Sequence, residues 1–198
     1  MSPLAWLAVA LSLSSFTIVA GGDCPGAHRN ITMEAACREA CGTATATATA
    51  AAGEPMYQVC MRELGDDYRA GSVKEAYEFA YDVAWKAVAS YGRTAGWADY
   101  VLGNGTLAGD AKAAYGLVAG SSYREAEAAM WNVCHRVMED CGVELSGDYR
   151  TALRDVAACR GRLAKLPPPS ASSLLTMVDK DYNLTLLAYL LGKLVGIK

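Results

Sequence analysis

Histidine is scarce in this sequence, which contains only His28 and His135. A metal site needs several His, Cys or carboxylate ligands that converge on one point, and the only adjacent His and Cys are His135 and Cys134. A Gly-x-Ser-x-Gly nucleophile elbow is missing, and the glycines at 103 and 105 lack the strand and helix that frame a phosphate-binding loop. We therefore predict no catalytic, cofactor-binding or metal-binding residues, and a protein that is not an enzyme.

An excess of positive charge is also missing. The 18 Lys and Arg residues are outnumbered by 21 Asp and Glu residues, which gives a formal net charge of −3. Proteins that bind nucleic acids present a basic stripe or patch to the phosphate groups, so this balance argues against a nucleic-acid partner. A mildly acidic chain is compatible with docking onto a basic protein.

Charged side chains are absent from the first 20 residues, which are rich in Leu, Ala and Val and lead into Gly21 and Gly22. An apolar segment of this length with small residues at its exit is typical of a secretory signal peptide. A retained membrane anchor is the alternative, but serines at 12, 14 and 15 interrupt the apolar run early. We predict a signal peptide over residues 1–22, one mature domain over residues 23–198, and secretion.

Seven cysteines accompany this leader. Export through an oxidising compartment favours disulfide formation. An odd number leaves at least one thiol that is free or that pairs between chains.

Large apolar residues do not alternate as they would in strands; they recur instead at steps of three and four. Val73, Tyr77, Ala80, Ala84, Ala87 and Tyr91 give the clearest example. Gly92 is predicted to end that helix, and the Thr/Ala repeat over 43–52 is predicted to be a loop. These patterns indicate an all-α fold, an antiparallel four-helix bundle preceded by a short N-terminal helical hairpin. The predicted helices cover residues 30–41, 55–64, 72–91, 111–140 with a candidate break at 120–122, 146–166 and 173–195.

Asn-x-Ser/Thr sequons occur at Asn30, Asn104 and Asn183, and we predict N-glycosylation at these positions on a secreted chain. Asn104 lies in a glycine-rich segment and is the best candidate. Asn183 lies among leucines.

Two tryptophans fall outside the apolar seam of the predicted 72–91 helix. Trp85 is off the seam, and Trp97 lies in the predicted loop that follows Gly92. Exposed tryptophans often anchor a protein partner, whereas most large aromatic residues are buried. Each is therefore either a partner anchor or a residue packed beneath the hairpin.

Three short segments carry a family resemblance. They are ACREA at 36–40, YQVCMRELG at 57–65 and YNLTLLA at 182–188. Together with the leader they resemble the plant pectin methylesterase inhibitor and invertase inhibitor family, and the resemblance covers essentially the whole mature chain. It implies an exported four-helix bundle behind a helical hairpin, with two disulfides, that acts by blocking an enzyme.

The resemblance also implies the pairing of four cysteines. Cys37 and Cys60 resemble the pair that ties the hairpin, with Cys41 as a rival for Cys37. Cys159 resembles the last cysteine of the family. Either Cys134 takes the place of its usual partner, or that partner cysteine has been lost from this sequence near Ala119. Two antiparallel helices joined near 142–147 would bring Cys134 opposite Cys159, and we predict that bridge. The pairing of Cys24, Cys41 and Cys141 stays open.

Members of the family that this sequence resembles inhibit one of two enzymes, pectin methylesterase or invertase. Invertase inhibitors resemble one another in a Pro-Lys-Phe element, which this sequence lacks; its nearest counterpart is the Lys-Leu-Pro at 165–167. We therefore expect a non-covalent inhibitor of pectin methylesterase that covers the active-site cleft in the cell wall. Inhibition of invertase, a beta-fructofuranosidase, is the alternative, and a secreted structural or signalling bundle without inhibitory activity is a further one.

Overall fold

The computed structural model of the chain describes only part of its length. The described residues are Cys24, 26–42, 50–51, 53–69, 71–137, 143–167 and 172–198. The predicted signal peptide, most of the Thr/Ala segment and Cys141 lie outside these residues.

Helices make up most of the described chain, which confirms a mostly helical fold. The helices are α1 (Met33–Gly42), α2 (Met56–Gly65), α3 (Ala76–Gly103), α4 (Gly109–Ala119), α5 (Ser121–Arg136), α6 (Val143–Leu163) and α7 (Ser172–Leu194). No helix within the described ranges is long and apolar enough to cross a membrane.

A disulfide joins Cys37 of α1 to Cys60 of α2 and confirms the first predicted bridge. The two Cα atoms are 5.6 Å apart, and neither side chain is exposed to solvent. The two helices pack against each other, and both contact α7. At the start of α1, the Thr32 hydroxyl accepts a hydrogen bond from the backbone N–H of Ala35 at 3.2 Å. This contact satisfies a donor that the first helical turn leaves without a partner.

A two-stranded antiparallel sheet, which the sequence did not predict, connects the segment before α1 to the start of α3. Strand β1 (Asn30–Thr32) pairs with β2 (Val73–Glu75), with Ile31 opposite Lys74. Each strand has 3 residues, too few to show an alternating pattern in the sequence. The prediction that a helix begins at Asn30 is therefore wrong by three residues, because β1 occupies them.

Helix α3 does not end at Gly92, as the sequence predicted, but continues to Gly103. The apolar seam continues through Thr94 and Ala98, both of which are buried. Gly92 is exposed, and a glycine within a helix costs only about 1 kcal/mol relative to alanine. Burial of the continued seam outweighs that cost, and Trp97 consequently lies on a helix rather than in a loop.

The long helices pack in a closed order. Helix α3 contacts α5 and α7, and α6 also contacts both α5 and α7, while α4 contacts α3, α5 and α6. The predicted break near 120–122 is confirmed, because Gly120 separates α4 from α5. A Cβ atom at Gly120 would lie 2.6 Å from the carbonyl oxygen of Gly116, so this close approach requires glycine.

The predicted Cys134–Cys159 bridge is wrong, since both residues carry free, buried thiols. Helix α5 ends at Arg136 and α6 begins at Val143, three residues earlier than predicted, so the two helices are joined before the predicted 142–147 connection. Cys134 consequently lies near the buried Tyr149, whose pKa is raised mainly by burial and further by Cys134. Cys159 is ten residues further along α6, a distance of about 15 Å along the axis, which is too far for a disulfide.

The structure also shows whether each of the remaining described cysteines is disulfide-bonded or free. Cys24 is buried and disulfide-bonded, and its sulfur lies 3.8 Å from the carbonyl oxygen of Val137. Cys41, the rival for Cys37, is free. Burial raises the pKa of Cys41 to about 12, of Cys134 to about 12 and of Cys159 to about 11. These three thiols stay protonated at neutral pH and are poor nucleophiles.

Replacing both cysteines of the confirmed bridge by alanine should destabilise the protein by about 2–4 kcal/mol, because the unfolded chain gains conformational freedom. Chemical denaturation monitored by circular dichroism measures this change. Cys41→Ala is the matched control, since Cys41 lies one turn from Cys37 on α1 but forms no bridge. Equal losses in the two variants would contradict a stabilising role for the bridge.

Candidate interaction surface

Four aromatic side chains from α3 and α5 meet on one side of the molecule. They come in two pairs with i,i+4 spacing, Tyr81 with Trp85 and Trp131 with His135, and we call them the aromatic cluster. Residues four apart lie on the same face of a helix, and α3 packs against α5. The two pairs are therefore brought together by helix packing.

The rings of the aromatic cluster are in direct contact. Trp85 and Trp131 meet edge to face with centroids 4.7 Å apart, and Trp131 stacks on His135 at 4.9 Å. Tyr81 contacts Trp85 at 6.1 Å. Contacts of this kind contribute about 0.5–1.5 kcal/mol per pair beyond the area they bury. The cluster is consequently a preorganised surface, and Trp131 within it remains 40% exposed.

Trp85 has an unsatisfied polar group. Its indole N–H is buried and donates no hydrogen bond to any of the described residues. A buried donor without an acceptor costs about 1–3 kcal/mol. Because the protein itself encloses this N–H, the structure gives Trp85 a packing role against Trp131.

His135 is held in a defined orientation on the exposed side of α5. Its Nδ1 lies 2.8 Å from the carbonyl oxygen of Trp131, so Nδ1 carries the proton and donates. The Nε2 atom is left to accept a hydrogen bond from a partner. Cys134 is buried while His135 is exposed, so these neighbours do not form a joint site. Nowhere in the described ranges do three or more His, Cys, Asp or Glu residues form a group that could hold a metal ion.

The predicted glycosylation sites differ in their surroundings. Asn30 is exposed on β1, and Asn104 is exposed directly after α3. Asn183 is half-buried on α7, and its Oδ1 accepts a hydrogen bond from the backbone N–H of Ala51 at 2.7 Å. The sequon threonine, Thr185, is fully buried. The geometry thus disfavours modification at Asn183, while Asn30 and Asn104 stay predictions.

A buried carboxyl group, that of Asp181, is a candidate for acid–base chemistry by residue type only. Asp181 is not exposed to solvent, and it accepts a hydrogen bond from the hydroxyl of Tyr123. Burial raises the pKa of Asp181, and nearby hydroxyls of Ser90 and Thr94 lower it in part. Because no substrate reaches this group, we interpret it as a structural polar contact between α3, α5 and α7.

The grooves on the described surface offer mixed charge rather than a defined site. One of about 210 Å³ lies beside Lys86, Arg93 and Lys180. Lys86 is paired with Asp67 at 2.6 Å, and the pocket also contains Glu63 and Asp66. Neutralisation of this kind leaves no concentrated charge for a ligand.

Trp131 was not among the predicted surface residues, and His135 was a candidate metal ligand only. The signal was present as two aromatic pairs with the same i,i+4 spacing. Trp85 packs against Trp131 of α5, and its role as a partner anchor stays a prediction.

Comparison of the chain with protein-family models, curated proteins and solved structures finds no match. The resemblance to the inhibitor family therefore stays a prediction from the residues that carry it.

Replacing Asp181 by asparagine should flatten the dependence of stability on pH. The folded-state pKa of Asp181 lies above the ordinary aspartate value of about 3.9. The protonated side chain of Asp181 therefore makes its full contribution to stability at a pH below that ordinary value. The contribution is lost as pH rises through the folded-state pKa. Asparagine still accepts the Tyr123 hydrogen bond without a buried charge. Denaturation from pH 4 to 7 should show a variant at least as stable as the parent at pH 7.

Exposed Asp99 provides the control, and Asp99→Asn should leave the pH profile of the parent unchanged. A parent that is more stable than Asp181→Asn at pH 7, with the same pH profile, would show that Asp181 folds in its charged form.

Proposed function

We propose that the mature chain is a secreted protein inhibitor of a pectin methylesterase, which it binds non-covalently over the active-site cleft. The observation that carries the proposal is the Cys37–Cys60 bridge between α1 and α2. These two cysteines form the first of the two bridges that the resemblance to the inhibitor family implies.

The proposed architecture is an antiparallel four-helix bundle of α3, α5, α6 and α7, with α1 and α2 as the disulfide-tied hairpin. The closed order of contacts supports it, because α3 and α6 each pack between α5 and α7. Helix α4 occupies the first part of the sequence-predicted 111–140 helix. The hairpin is attached to the bundle through α7.

The aromatic cluster is the proposed contact surface for the enzyme. Tryptophan is enriched among residues that dominate binding energy, and Trp131 presents 40% of its surface to solvent. The cluster lies on two packed helices, so binding orders few additional side chains. The Nε2 atom of the exposed His135 adds a polar contact with a hydrogen-bond donor on the partner.

Inhibition of this kind requires no chemistry from the inhibitor. A rigid helical face that covers the cleft excludes substrate sterically, and the enzyme regains activity when the complex dissociates. The inhibition should therefore be reversible, and no bond in either protein should change.

A non-inhibitory secreted bundle is the second candidate function, and one observation favours it. The second bridge implied by the resemblance is not formed, because Cys134 and Cys159 are free. A scaffold can be retained after its activity is lost, so the functional test must allow for this result.

Adding the purified mature chain to a pectin methylesterase should reduce acid release in proportion to the inhibitor added. Trp131→Ala should weaken inhibition by about 2 kcal/mol, roughly 30-fold in the inhibition constant, because an anchor that the complex buries is lost. Trp97→Ala is a matched control, since Trp97 is equally exposed, at 40%, and lies outside the cluster. Titration of acid release measures each constant.

An invertase assay run in parallel separates the alternatives. Inhibition of invertase alone would assign the other target class. Full activity of several pectin methylesterase isoforms and of invertase would reject the inhibitor proposal and favour the non-inhibitory bundle.

A further inference from the structure

A second exposed aromatic pair lies on the last turns of α3, away from the aromatic cluster. The rings of Trp97 and Tyr100 are stacked with centroids 5.6 Å apart and planes at 29°. Trp97 is 40% exposed and Tyr100 is 61% exposed. Two stacked and exposed aromatic rings form a small apolar patch, which is a candidate surface for a binding contact.

The sequon residue Asn104 continues the same helical face. Its backbone has helical dihedral angles, φ −71° and ψ −10°, and its N–H donates to the carbonyl oxygen of Tyr100 at 3.3 Å. Positions 97, 100 and 104 are related by steps of three and four, so they form one stripe. Side chains on a helix lean towards its N-terminus, which directs the Asn104 side chain over Tyr100.

The sequon is accessible to a modifying enzyme. Asn104, Gly105 and Thr106 are all exposed, and Gly105 has a φ of +68°, which turns the chain away from the helix. Left-handed backbone of this kind suits glycine. The Asn104 carboxamide forms no hydrogen bond to the part of the chain that the structure describes, unlike that of Asn183, which holds the backbone of Ala51.

We propose that Asn104 carries an N-linked glycan whose first sugars pack on the rings of Tyr100 and Trp97 and cover them. The donor is a polyprenyl-diphosphate-linked oligosaccharide. The Asn104 Nδ2 forms a bond to C1 of the first sugar, the bond from C1 to the diphosphate oxygen breaks, and Nδ2 loses one proton. The proposal rests on the secretory export contained in the proposed function.

The contact is favourable for a physical reason. The C–H face of a pyranose is apolar and weakly positive, whereas the face of an aromatic ring is negative. Tyr100 lies about 6 Å and Trp97 about 10 Å from Asn104 along the helix axis, so successive sugars follow the stripe. Asn30, also exposed, lies on β1 opposite Glu75 and is not part of such a stripe.

The test is secretion of the full chain from a eukaryotic host behind a host leader, followed by mass spectrometry before and after peptide N-glycosidase treatment. We expect a glycan at Asn104, and Asn104→Gln should remove it. In NMR spectra, protons of the first sugars should be shifted upfield by the rings and should show cross-relaxation with Tyr100. Tyr100→Ala should retain the glycan and lose most of this shift, and Trp97→Ala should lose part of it.

The control variant is Trp131→Ala, which should leave the sugar shifts unchanged. An unmodified Asn104 in the secreted protein would overturn the proposal, and so would a glycan whose sugar protons have unshifted positions in the parent. No target enzyme is present, so these outcomes are independent of whether the chain inhibits pectin methylesterase.

Discussion

Burial of α7 is the interaction on which the rest of the structure depends. This helix contacts α1 and α2 as well as α3 and α6, so it must be apolar on more than one side. Leu184, Leu187 and Leu191 are essentially fully buried, and each such side chain contributes about 1.5–3 kcal/mol. Near the end of α7, a Cβ atom at Gly192 would lie 3.0 Å from the Tyr149 hydroxyl oxygen. A side chain at this position would therefore force the Tyr149 hydroxyl and the Ile197 Cδ1 atom, which would lie 2.9 Å from that Cβ, to move.

Apolar spacing predicted the positions of the helices but not all their ends or their register. The steps of three and four from Tyr77 to Tyr91 indicated α3 correctly, but the predicted start at residue 72 is wrong, because Val73 lies on β2 and is 58% exposed. The predicted end at Gly92 is also wrong, because burial of Thr94 and Ala98 sustains the helix. The β1–β2 pair could not be predicted, since three residues are too few for a periodic signal. The prediction of a Cys134–Cys159 bridge was wrong because no sequence pattern showed that α6 begins as early as Val143.

The candidate surface was predictable in its parts and not as a whole. Each i,i+4 aromatic pair can be recognised along its own helix, but contact between Trp85 and Trp131 depends on how α3 packs against α5. The pairing of charged side chains also depends on how the helices pack. Lys86 looks free in the sequence, while packing pairs it with Asp67. Exposed aromatic rings, rather than charge, consequently distinguish the surfaces of this protein.

The central claim is that the aromatic cluster is where a pectin methylesterase binds. Hydroxyl-radical footprinting of the chain, with and without the enzyme, measures the solvent access of individual tryptophans in one experiment. The account predicts that the enzyme reduces oxidation of Trp131 strongly and leaves oxidation of Trp97 unchanged, because only the former lies in the cluster. Unchanged oxidation of Trp131 in a complex that forms would contradict it.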